Sequence, residues 1–155
     1  MRKLLLTVGL FAFAGTLFAQ GQFVGTWKLN TAKNNIDNDS RKSSRAMTIV
    51  MEEQGDNLQV TSTGTNADGL PFSLKYTVPI KGGAGQVQES SGRLDGVSLK
   101  VVSANVLEIT YSRGGKEALF RRVVVSKDGK TMRATEKGTN VNGKPVDASA
   151  VFKKQ

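Results

Sequence analysis

The sequence predicts an all-β protein, an antiparallel up-and-down meander closed into a barrel of eight to ten strands. From Phe23 onward, apolar and polar residues alternate in short segments, as they do along half-buried strands. Gly, Asn and Asp residues, which favour turns, separate these segments. Short links favour antiparallel neighbours, and closure removes the exposed edges of a long sheet. An open sandwich is the alternative fold.

The N-terminal residues are predicted to be a processing signal and not part of the barrel. Arg2 and Lys3 are basic, the segment 4–18 is largely apolar, and Ala19 is a small residue suited to cleavage. The apolar run is shorter than the roughly 20 residues that span a bilayer, so cleavage is favoured over an uncleaved anchor. The predicted domains are therefore a signal peptide, 1–19, and a β-barrel domain, 20–155.

Composition excludes several kinds of chemistry. The chain has no Cys, which excludes disulfides and a lipid-anchored lipoprotein. It has no His, which excludes Ser-His-Asp and Cys-His nucleophiles and His-based metal sites. No cofactor, no metal and no catalytic residue are predicted, and catalysis is the less favoured function. A short basic start without Cys favours a bacterial periplasmic or secreted protein.

The first half of the domain contains the first four predicted strands. The segment 23–29 places Phe23, Gly25, Trp27 and Leu29 on one face. The polar segment 30–44 follows and is predicted to be a loop or at most one turn of poor helix. The next strands are 45–53, 58–65 and 71–79, of which the last alternates most regularly.

The second half is read in the same way. The Gly-rich segment 81–85 is predicted to interrupt the strands and to be flexible. The remaining strands are 86–92, 97–103, 106–112, 117–126, 131–138 and 145–154. In 117–126 apolar residues occupy both faces, so its inward face is not decided by alternation.

The first strand resembles a known family. Gly25-Thr26-Trp27, within the run 23–30, resembles the Gly-x-Trp opening of the lipocalin and fatty-acid-binding-protein superfamily, the calycins. The ending 151–154 is also similar to the way those chains end. This resemblance implies a lipocalin-like barrel, close to the small lipocalin-like domains of bacteria. It also implies that Gly25 and Trp27 are structural residues that close one end of the barrel.

Three departures limit what the resemblance implies about a ligand. The polar link 30–44 cannot supply the two lid helices of fatty-acid-binding proteins. Ala150 and Phe152 occupy the positions where those proteins hold a carboxylate with an Arg-x-Tyr pair. The predicted export also differs from the cytosolic members. The resemblance therefore implies an architecture and not a fatty-acid carrier.

The apolar residues of the alternating segments are predicted to face the barrel interior. That interior is either a packed core or a ligand cavity. Arg121 and Arg122 are adjacent, so one points inward, either to an anionic group or over Trp27. Which of the two does so is left open, and Arg122 is taken as the candidate. The polar strands could add Gln88, Arg133 or Thr135. The candidate ligand-binding residues are Met47, Ile49, Met51, Phe72, Leu74, Tyr76, Leu107, Ile109, Tyr111 and Arg122.

These observations predict an exported lipocalin-like barrel that binds a small apolar or amphipathic ligand in its interior. One alternative is a packed barrel that acts through its surface as an inhibitor or as a module that binds proteins or envelope polymers. A third, weaker alternative is a cofactor-free isomerase or cyclase. The basic cluster 41–45 could attract an anionic envelope surface. Neither nucleic-acid binding nor stable membrane insertion after cleavage is expected.

Overall fold

The computed structural model describes residues 19–31, 46–66 and 68–155, which form a closed antiparallel barrel of ten strands. This is the fold class that the sequence predicts. A 3-10 helix, Ala19–Gln22, precedes the barrel. The strands are β1 Gly25–Leu29, β2 Ala46–Gln54, β3 Asn57–Thr65, β4 Pro71–Pro79, β5 Gly83–Ser90, β6 Gly96–Ser103, β7 Val106–Arg113, β8 Lys116–Val125, β9 Thr131–Thr139 and β10 Pro145–Lys154.

The barrel closes where the first strand meets the last. Each strand pairs with its neighbours in the sequence, and β1 lies between β2 and β10. Trp27 is paired with Ile49 of β2 on one side and with Lys154 of β10 on the other. The ladders between β5 and β6 and between β1 and β10 are the shortest, with three paired positions each. Closure leaves the barrel without the two free edges of an open meander.

The prediction that the Gly-rich segment 81–85 interrupts the strands holds for residues 81 and 82, which lie in the turn between β4 and β5, and is wrong for residues 83–85. Gly83–Gly85 belong to β5 and pair with β6. A Cβ atom on Gly85 would lie 2.2 Å from the carbonyl oxygen of Thr77, so glycine permits two strands to approach here. The segment therefore combines low side-chain volume with regular pairing. The predicted signal sequence up to Phe18 and the basic cluster 41–45 lie outside the described residues.

One end of the barrel is closed by Trp27, which is fully buried. Its indole Nε1 donates a hydrogen bond of 2.7 Å to the carbonyl oxygen of Phe23. The ammonium group of Lys154 lies 5.1 Å from the centre of the Trp27 ring system, so a lysine and neither arginine provides the stacked cation. A Cβ atom on Gly25 would lie 2.8 Å from the Lys154 side chain. Glycine at this position therefore leaves room for the lysine.

The core fills the half of the barrel next to Trp27. Its buried side chains include Met51, Val60, Tyr76, Val78 and Leu107. The opposite end carries the turns that follow β3, β5, β7 and β9. The described residues leave the interior near that end unfilled, and this space contains the candidate site. No helix among the described residues is both long enough and apolar enough to cross a membrane.

Candidate functional site

A cavity of about 410 Å³ occupies the half of the barrel away from Trp27. This volume lies within the range of pockets that hold small organic molecules, about 300 to 1,000 Å³. Much of its wall is apolar. On one side the wall is formed by small side chains, which leave space for the cavity. The larger apolar residues of the wall are Met47, Ile49, Phe72, Leu74, Leu119 and Phe152. The small ones are Ala134, Ala148 and Ala150.

Three members of a polar cluster lie on the cavity wall formed by β7, β8 and β9, and the fourth, Tyr76 of β4, lies in the packed half below the cavity. Arg121 donates two hydrogen bonds to Oε2 of Glu136, at 2.8 Å from Nε and 2.5 Å from Nη2. Its Nη1 donates to the hydroxyl of Tyr111 at 3.1 Å. The Tyr111 hydroxyl in turn donates to that of Tyr76 at 3.2 Å. The guanidinium carbon also lies 5.3 Å from the centre of the Tyr111 ring, so Arg121 is held by four interactions.

Burial sets the protonation of this cluster. Burial raises the pKa of the Tyr76 phenol well above its ordinary value, and it raises the pKa of Tyr111 too. Burial alone would lower the pKa of Arg121, but the negative charge of Glu136 more than offsets this, and the Arg121 pKa is raised. The cluster at neutral pH is therefore one cation, one anion and two neutral phenols.

Strand alternation explains why Arg121 and not Arg122 faces inward. Arg121 lies opposite Ile109 of β7 and Glu136 of β9, which both face the interior. Arg122 points outward, where it forms an ion pair with Glu108, and its side chain is 42% exposed. The choice of Arg122 as a ligand-binding candidate was therefore wrong, and Arg121 takes that position.

The mouth of the cavity is built from turns that hold their own shape. Asn66 Oδ1 accepts hydrogen bonds from the backbone N–H groups of Asp68 and Leu70, at 3.0 and 2.9 Å. Asn140 does the same in the turn after β9, with 2.9 and 3.0 Å to residues 142 and 144. Arg113 links two loops of the rim, because it donates to the carbonyl oxygens of Gly92 and Asn140 at 3.1 and 3.0 Å. The described turns of the rim are therefore held in shape by their own hydrogen bonds.

Ser62 is a second polar group of the wall. It is 1% exposed, and its hydroxyl has no hydrogen-bond partner among the described residues. It lies between Ile49 of β2 and Leu74 of β4, which are both apolar and also line the cavity. A buried hydroxyl without a partner costs about 1 to 3 kcal/mol, so this position calls for a polar partner inside the cavity.

The sequence-predicted interior residues fall into three groups. Met47, Ile49, Phe72, Leu74 and Tyr111 line the cavity. Met51, Tyr76, Leu107 and Ile109 are buried in the packed half below it. Arg122 is outside.

The other polar candidates also point outward. Arg133 donates to Ser149 at 3.4 Å on the exposed surface, and Thr135 is paired with the same residue. Gln88 donates to Thr77 at 2.8 Å, again on the exposed surface. None of the three supplies the polar part of the cavity wall.

Several polar residues of the wall were missed, and alternation could have found two of them. Glu136 continues the inward series of Met132 and Ala134 on β9. Ser62 continues the series that begins at Leu58 and Val60 on β3. Within the described part of the chain, no three carboxylate side chains are grouped so that they could hold a metal ion.

Comparisons with known proteins return no family and no curated relative, but they return solved barrels. No protein-family model matches the chain, and no curated protein matches it. A redesigned β-barrel, b11L5F_LGL, is similar in structure, with a TM-score of 0.47 and 16% sequence identity over 89% of this chain and 96% of that one. A structure described as EF1p2_mFAP2b bound to DFHBI gives a TM-score of 0.43 and 14% identity over 89% of this chain and 98% of that one. Likenesses at this level assign no ligand to the present chain.

Proposed function

We propose that this protein is an exported, lipocalin-like barrel of bacterial type that binds one small amphipathic molecule in its interior. The observation that supports this is the cavity of about 410 Å³, with a mostly apolar wall and one polar cluster. The turns after β3 and β9 at its mouth are held by their own hydrogen bonds, so these turns need little ordering on binding. An apolar body would pack against Met47, Phe72 and Phe152, while a polar end would meet one of the polar groups of the wall, which are Ser62 on one side and the Arg121–Glu136 pair on the other.

Two other functions have less support. A barrel that acts only through its surface needs no cavity, whereas the described residues surround a cavity of about 410 Å³. An isomerase or cyclase needs a group that can take up a proton. Glu136 is bound to Arg121, and the raised pKa of Tyr111 keeps its phenol protonated at neutral pH, so neither is a free base.

Binding in the cavity is tested with an uncharged fluorescent dye, N-phenyl-1-naphthylamine, whose emission rises in apolar surroundings. Ala150→Phe places a large ring in the cavity and is expected to weaken dye binding by about tenfold or more. Ser149→Phe is the matched control, since Ser149 is the neighbouring residue on the exposed face of β10, and it should leave the affinity within about twofold.

Equal effects of the two substitutions, or wild-type protein that does not bind the dye, would reject the cavity as a binding site. The export part of the proposal is tested separately. The mature protein recovered from the periplasm or medium of a bacterial host should begin at residue 20. An intact N-terminus retained inside the cell would contradict it.

A further inference from the structure

The charges that line the cavity balance each other. Among the described residues of the wall, the charged side chains are Asp68, Arg113, Arg121 and Glu136, two of each sign. Asp68 and Arg113 belong to the mouth. The Arg113 guanidinium donates hydrogen bonds to two backbone carbonyl groups. Deeper in the cavity, Arg121 and Glu136 form a pair whose side chains are only 14% and 17% exposed.

The pairing of Arg121 with Glu136 changes the kind of ligand that the inward arginine would attract. An arginine without a carboxylate partner would attract an anionic ligand. Arg121 directs both Nε and Nη2 to one oxygen of Glu136 and directs Nη1 to Tyr111. A carboxylate or phosphate that entered the cavity would lose its hydration, and it would then meet the negative charge of Glu136 beside the cation. The pair therefore disfavours anions.

Ser62 offers the ligand a hydrogen bond that the Arg121–Glu136 pair does not offer. β3, which carries Ser62, is five strands away from β8, which carries Arg121, in the ring of ten, so the two residues lie on opposite walls. The Ser62 hydroxyl is buried, lines the cavity and has no partner among the described residues. A hydroxyl can donate and accept, so it suits a ligand hydroxyl or carbonyl oxygen equally well.

We infer that the cavity selects an uncharged amphipathic ligand, with an apolar body and a hydroxyl or carbonyl oxygen that hydrogen-bonds to Ser62, and that the Arg121–Glu136 pair excludes anions. This inference rests on the proposed function, because it needs a ligand inside the barrel. It assigns one role to each polar feature. Ser62 binds the ligand oxygen, and Glu136 cancels the charge of Arg121.

The test compares 1-decanol with decanoate at pH 8, two probes with the same chain length that differ in charge. Each is titrated against protein loaded with N-phenyl-1-naphthylamine, and the concentration that displaces half of the dye is measured. Decanol should displace the dye from wild-type protein at a concentration about tenfold lower than decanoate. Ser62→Ala should weaken decanol about fivefold, the loss of one hydrogen bond, once each displacement value is corrected for the dye affinity of the same variant.

Glu136→Gln should abolish the selectivity. It leaves Arg121 as an uncompensated cation, so decanoate should bind about tenfold more tightly while decanol changes by less than about threefold. Glu108→Gln is the matched control, because Glu108 is the partner of Arg122 in the corresponding ion pair on the outer surface. It should change neither probe. Circular dichroism and Trp27 emission establish that each variant is folded.

The outcomes separate this inference from the proposed function. If the dye binds but decanoate competes as well as decanol, the inference is overturned while binding in the cavity stands. The same holds if Ser62→Ala leaves decanol unchanged, or if Glu136→Gln and Glu108→Gln act alike. If Glu136→Gln does not fold, the inference is still tested by the comparison of decanol with decanoate on wild-type protein and by the effect of Ser62→Ala. If the dye itself fails to bind, the proposed function fails first.

Discussion

Removal of one partner of the interior ion pair is predicted to cost much more stability than the same change on the surface. The chain offers a matched comparison on adjacent residues of β8. Arg121 pairs inward with Glu136, and Arg122 pairs outward with Glu108. We therefore compare Arg121→Met, Arg122→Met and the double variant R121M/E136M with the wild type.

The magnitude follows from the burial of the group left behind. Loss of one partner of a fully buried pair costs about 3 to 5 kcal/mol, because the remaining charge has no compensation. The Glu136 side chain is 17% exposed and borders the cavity, so part of its hydration returns and we expect about 2 to 3 kcal/mol for Arg121→Met. Arg122 is 42% exposed, and Glu108 retains Lys100 at 3.5 Å, so Arg122→Met should cost about 0 to 1 kcal/mol.

The double variant provides the decisive comparison. R121M/E136M removes both charges and should regain most of the loss, to within about 1 kcal/mol of wild type. Urea denaturation at pH 7, followed by the emission of the single Trp27, gives the free energies. Equal m-values would show that the unfolded states are comparable. The reasoning is refuted if the two single variants lose the same stability, or if the double variant is no more stable than Arg121→Met.

Two further predictions concern backbone geometry and buried phenols. Gly138→Ala should lower the free energy of unfolding by about 2 to 4 kcal/mol, because φ is +139° and the new Cβ would lie 2.1 Å from the Ala118 carbonyl oxygen. Gly129→Ala is the control, because no atom lies within 4 Å of its new Cβ, and it should cost only about 1 kcal/mol in the same urea assay. Equal costs would contradict this. Tyr76 and Tyr111, the only tyrosines, have raised pKa values in the folded state, so they favour folding fully below the unfolded pKa of about 10 and progressively less above it. Unfolding free energies measured from pH 9 to 11 should fall less steeply for Tyr76→Phe than for wild type, and identical slopes would contradict the prediction.

Alternation and turn spacing were enough to predict the barrel, because both are local properties of the chain. The segment 71–79 has a clear two-residue period and forms β4 with the predicted bounds. The segment 145–154 forms β10 with equal agreement. Closure followed from the need to remove free edges, and the pairing of Trp27 with Lys154 satisfies that need.

The candidate site was less predictable, because it depends on register between strands. Phe120 and Val124 on the outer face of β8 are half-buried, so that face carries as much apolar signal as the inner one. Only the pairing of Arg121 with Glu136, a contact between β8 and β9, decides which arginine faces inward. The depth of the cavity depends in turn on small side chains such as Ala148, whose partners across the barrel no local pattern specifies.

The pairing of β1 with β10 also orders the events of folding. Nine of the ten ladders join strands that are neighbours in the sequence, whereas the tenth joins the first strand to the last. Closing so long a loop is entropically costly, and such distant contacts form slowly. Until the ten residues of β10 have been synthesised, β1 has one open side and the sheet exposes an edge. The barrel therefore cannot close before β10 is present, and the pairing of the last strand with the first determines when the barrel can form.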